Sequence, residues 1–73
     1  MLITVMRAQV ATTGGIREEV MAIVDGVRWS ARQTAQALAD ARVCRCGDCA
    51  CCGITKACVA AGIDPIAAIA TGR

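Results

Sequence analysis

Hydrophobic and polar positions divide the chain into segments of different character. Residues 2–6, Leu-Ile-Thr-Val-Met, are apolar and partly β-branched, with no Pro or Gly, and the run extends toward Val10. This predicts a strand. The pattern offers no second convincing strand, so the ladder groups of this one need a partner edge, a second copy or disorder. Ala11 to Gly15 reads as a linker broken by Gly14-Gly15.

From Ile16 the apolar positions recur at helical spacing. Ile16, Val20, Ile23 and Val27 are followed in phase by Ala31, Thr34, Leu38 and Ala41. Glu18 and Glu19 would sit in a first turn, where the helix dipole favours negative charge. One helix over 16–42 would be roughly 40 Å long at 1.5 Å per residue. The alternative is a break near Gly26, with Asp25-Gly26 as a stop and Ser30-Ala-Arg-Gln33 as a capping box. A mid-helix Gly costs about 1 kcal/mol, which favours the break. Further on, Ile54 to Ala61 reads as a helix closed by Gly62, and Asp64-Pro65 restarts another, with Ile66 and Ile69 on its buried face.

The expected fold is therefore mainly α. An extended N-terminal arm, 1–15, precedes a small helical domain, 16–73, with a Cys-rich metal knuckle between helices. No run of 18 apolar residues exists, so no transmembrane helix is expected. The opening segment makes a poor signal peptide, because Arg7 and Gln9 interrupt its apolar stretch. The expected location is the cytoplasm, or the inside of an assembled particle.

Composition makes cohesion the central problem. The chain has 73 residues and a single aromatic, Trp29, and much of its 56% hydrophobic fraction is Ala and Cys. A domain this size buries only about 60% of its unfolded surface and needs a staple or a partner. The formal charge of +2 falls by two if four thiolates take one divalent ion, which argues against strong non-specific nucleic-acid binding. With no His, imidazole chemistry is excluded, and the six carboxylates are scattered. The expectation is a protein that is not an enzyme.

The densest chemistry lies in Cys44-Arg45-Cys46-Gly47-Asp48-Cys49-Ala50-Cys51-Cys52, with Cys58 following. In a reducing compartment such a cluster reads as a metal site rather than a disulfide framework. C-x-x-C occurs twice, and two intervening residues let a tight knuckle aim two sulfurs at one tetrahedral ion. Gly53 follows the second pair, where a turn would need backbone freedom. The preferred ligand set is Cys46, Cys49, Cys52 and Cys58. Cys44 and Cys51 are left to replace members of that set or to share a second ion. The expected metal is zinc. Cys44, Cys49 and Cys52, with Arg45 and Gly47, resemble the [2Fe–2S] loop of plant-type ferredoxins over nine residues, and that resemblance implies an iron–sulfur cluster as the alternative. The Cys-x-Cys, Cys-x-x-Cys and Cys-Cys spacings also resemble metallothioneins, implying metal buffering.

Trp29, flanked by Arg28 and Arg32, is a candidate interface anchor, or a staple if the chain breaks before Ser30. Together with Ile3 and Val5 of the unpaired strand, it suggests a protein partner or a homo-oligomer. The leading expectation is a metal-stabilised interaction or assembly module, including a subunit of a larger complex or virion. A metal-dependent nucleic-acid-binding regulator is the second reading.

Overall fold

The computed structural model describes residues 1–72. It contains three antiparallel strands, β1 (Ile3–Thr12), β2 (Gly15–Val24) and β3 (Val27–Trp29), then three short helices, α1 (Ala31–Ala41), α2 (Ala50–Ala60) and α3 (Pro65–Thr71). The sheet order is β1-β2-β3. The fold is a mixed sheet-and-helix domain, not the mainly α fold the periodicity suggested.

The correction centres on residues 15–29. Ile16, Val20 and Ile23 belong to a strand, although their spacing also fits a helix. Val20, Ala22 and Val24 alternate inward toward the helices and are buried. Met21 and Ile23 are apolar as well, so the run from Val20 to Val24 carries no polar alternation to mark it as a strand. Asp25-Gly26 is a hairpin turn rather than a helix stop. Both residues have positive φ, 49° and 83°, as a two-residue type I′ turn requires. The turn is tied to the start of β1: Leu2 N–H donates to Asp25 Oδ1 at 2.7 Å, and Asp25 N–H donates to the Leu2 carbonyl at 2.8 Å.

The strand near the N-terminus is present, and its partner lies within the chain. β1 pairs with β2 along its whole length, from Ile3 opposite Val24 to Thr12 opposite Gly15, without a bulge. The proposed arm boundary at residue 15 thus falls inside a hairpin, whose turn is Thr13-Gly14.

The helix boundaries follow local chemistry. Ser30 and Gln33 form the reciprocal capping box that starts α1. α2 ends in a Schellman motif: Gly62 adopts φ 75°, its N–H donates to the Val59 carbonyl, and Ile63 N–H donates to that of Cys58. Asp64 accepts from Ile66 N–H and Pro65 opens α3. On α3, Ala68 and Ile69 face inward, whereas Ile66, expected beside Ile69, is 58% exposed.

All three helices pack on one sheet face. The core joins Val20, Ala22 and Val24 to Leu38, Ile54, Cys58, Ile63 and Ile69, with Ile3, Val5 and Trp29 packed around it. Gly53 lies within α2 rather than in a turn. A Cβ there would overlap Ile3 Cδ1, so the missing side chain lets α2 approach β1. No single helix among the described residues is long and apolar enough to cross a membrane.

Candidate metal centre

Residues 42–49 connect α1 to α2 and carry the first three cysteines of the cluster. Leaving α1, the chain stays bonded to its last turn: Val43 and Cys44 N–H both donate to the Asp40 carbonyl. This holds Cys44 close to the helix end. Gly47, at φ 77°, lets the chain reverse between Cys46 and Cys49, where a side chain would be strained. Cys49 is the N-cap of α2, with extended backbone and no side-chain cap bond, so its sulfur is not committed to a backbone donor.

Helix geometry sorts the remaining cysteines. Cys49 and Cys52 are three residues apart and share a side. At 3.6 residues per turn, Cys58 lies roughly 180° around the helix from Cys49 and about 40° from Ile54. Accordingly, Cys58 is fully buried in the core beside Ile54. Cys51 turns toward α1 and lines a groove with Trp29, Gln33, Gln36, Ala37 and Asp40.

The sulfurs brought together are those of Cys44, Cys46, Cys49 and Cys52, all within 4.8 Å of one another. Cys44 Sγ lies 3.4 Å from both Cys46 Sγ and Cys49 Sγ. A zinc ion with Zn–S bonds near 2.3 Å sets its sulfurs about 3.8 Å apart at the corners of a tetrahedron. The observed group is already close to that spacing. All six cysteines are free thiols, and a 3.4 Å separation is well beyond a covalent S–S bond. Three members of the ligand set expected from spacing, Cys46, Cys49 and Cys52, are in the group. Cys44 completes it instead of Cys58. The sequence signal for Cys44 was its C-x₄-C-x₂-C relation to Cys49 and Cys52.

The crowding redistributes protons. The Cys49 pKa falls to about 6, chiefly through the Cys51 thiol, with the Cys52 N–H and the Cys46 and Cys44 thiols assisting. At Cys44, the Cys46 N–H pulls downward, but the thiols of Cys46, Cys49 and Cys52 outweigh it and the pKa is raised well above the usual thiol range. Cys51 is raised mainly by the neighbouring Cys49 thiol, and Cys58 by burial. Without metal, the cluster thus favours one thiolate served by its neighbours' S–H groups. A divalent cation at the centre would favour the ionised form of every sulfur ligand.

Cations surround the loop. Lys56 Nζ donates to the Gly47 carbonyl at 3.3 Å. Arg45 and Lys56 line a cleft of about 240 Å³ with Cys44, Cys52 and Thr55. Their charge opposes the excess negative charge of a tetrathiolate ion.

The candidate partner residues do not form one patch. Trp29 pairs with Ala22 on the helix-covered face and is half-buried. Arg28 pairs with Ile23, so its side chain leaves the opposite face. Arg32 is exposed on α1, and Ile3 and Val5 are partly buried against the core. Comparison with protein-family models, curated proteins and solved structures finds no match for this chain.

Proposed function

We propose that this chain is a non-enzymatic interaction or assembly module whose fold is stapled by one tetrahedrally coordinated ion, zinc by the chemistry of its donors. The observation that carries this reading is the convergence of four thiols, Cys44, Cys46, Cys49 and Cys52, within 4.8 Å. Four thiolates leave no open coordination position, so the ion would act structurally. It would join the end of α1 to the start of α2, adding cohesion to a core that is rich in small side chains. Structural zinc contributes on the order of 10 kcal/mol or more of apparent binding free energy.

The same compactness weighs against an iron–sulfur cluster. Two bridged irons would hold two sulfur pairs farther apart than one shared ion does. The nucleic-acid-binding alternative has no helix-turn-helix to draw on, because α1 and α2 are separated by residues 42–49, whereas that motif uses a turn of three or four residues.

Elemental analysis of protein purified without added metal tests the proposal. One zinc per chain is expected, together with the visible bands of tetrahedral thiolate cobalt after exchange. A folded, metal-free protein that takes up neither ion would overturn it.

A further inference from the structure

β1 ends the sheet on one side and nothing among the described residues pairs with its outer edge. The edge is ten residues long, has no bulge or Pro, and carries one charge, Arg7. Proteins ordinarily protect such edges with charges, bulges or a covering element. The two-residue turn makes Thr12 and Gly15 the hydrogen-bonded pair that closes the hairpin. Even-numbered residues of β1 therefore bond to β2. Ile3, Val5, Arg7, Gln9 and Ala11 direct their N–H and C=O groups outward.

We infer that this edge pairs antiparallel with β1 of a second copy, centred on Ala8, to give a continuous six-stranded sheet. Side-chain complementarity selects the register. With Ala8 opposite Ala8, Met6 meets Val10 of the other copy on the face away from the helices, and Arg7 meets Gln9. Within each copy Gln9 sits opposite Glu18. The row crossing the junction therefore reads Arg7, Gln9, Glu18, and brings opposite charges within reach of two extended side chains, about 10 Å between their Cα atoms. Sliding one copy by two residues sets Arg7 against Arg7, a like-charge pair directly opposed. Sliding further that way carries the junction toward Ile3, where α2 approaches β1. The existing Arg7–Glu18 ion pair, 3.9 Å long with both side chains half exposed, is weak enough to exchange partners. This pairing gives the proposed module its partner. It does not use the cysteines, so the metal content of the purified protein tests the staple without testing the pairing.

The experiment combines native mass spectrometry with residue-resolved amide exchange on the full chain as purified. At 100 μM the expected mass is twice the 7.5 kDa of one chain, with the amides of Val5, Arg7, Gln9 and Ala11 protected, and that protection is lost on dilution. Gln9→Pro removes an outward donor without breaking an internal ladder bond. It should weaken dimerisation about thirtyfold, since two junction hydrogen bonds disappear across the two-fold axis. Arg7→Glu should also weaken it while circular dichroism shows the chain still folded, and adding Glu18→Arg should restore the dimer. The fold control is needed because the same swap re-forms the intrachain Arg7–Glu18 pair. A monomer at this concentration overturns the inference. So does a dimer in which the odd-numbered amides exchange freely, or one that Gln9→Pro leaves intact.

Discussion

Cys44 Sγ and Cys49 Sγ lie 3.4 Å apart although one leaves the end of α1 and the other caps α2. A shared ion would bind those two helices together, so the two thiols should matter equally to metal binding. Cys44→Ser and Cys49→Ser should each weaken zinc affinity by more than the ~10–100-fold that loss of an outer-shell partner costs. Cys51→Ser should leave stoichiometry at one per chain. Cys58→Ser should lower stability by placing a hydroxyl in the core, yet keep the site. Competition with a chromophoric chelator measures affinity and stoichiometry for all four, and urea denaturation measures the stability of Cys58→Ser.

Thiolate distribution gives a pH prediction for the reduced, metal-free protein. The thiolate fraction rises with pH, and Cys49, at about 6, ionises first. Its alkylation rate should reach half its plateau near pH 6. Cys44, Cys51 and Cys58, all raised, should react appreciably only under alkaline conditions. Cys51→Ala removes the largest cause of the depression and should move the Cys49 profile toward an ordinary thiol. Peptide mapping after pulse labelling reads each site.

Leu38 is 1% exposed at the centre of the core. Leu38→Ala should cost about 2–5 kcal/mol, a large share of what so small a domain holds. The variant should therefore unfold without metal and remain folded with zinc. Circular dichroism with and without a chelator separates the two states.

The Asp25-Gly26 turn should be sensitive in a residue-specific way. Gly26 has φ 83°, and Gly26→Ala should cost about 1 kcal/mol because Cβ is disfavoured there. Asp25→Asn should be mild, since Asn tolerates positive φ and keeps an acceptor for Leu2 N–H. Asp25→Ala loses both features and should cost more, about 1–2 kcal/mol. Urea denaturation of the metal-loaded protein supplies the comparison.

What could be read from the chain depended on how local each signal was. The capping box at Ser30 and Gln33, the glycine stop at Gly62 and the Asp64-Pro65 start are complete within a few residues, and each lies where expected. β1 was visible from its β-branched run. β2 was not, because Ile16, Val20, Ile23 and Val27 satisfy helical spacing while Val20 to Val24 is apolar on both faces. Asp25-Gly26 fits either a helix end or a hairpin. Which it is depends on β1, beyond the reach of local periodicity. At the candidate site, proximity in sequence identified Cys46, Cys49 and Cys52. Choosing between Cys44 and Cys58 required knowing that α2 begins at Ala50 rather than Ile54, because the helix start decides which way Cys58 points.

Gly53 stands between the sulfur cluster and the core within a single helical turn. Cys52 precedes it at the sulfur cluster, and Ile54 follows it into the core. A metal held by Cys52 would therefore lie one residue from the spot where Ile3 nests, so loading or removing it should alter amide exchange at the first rung of the hairpin.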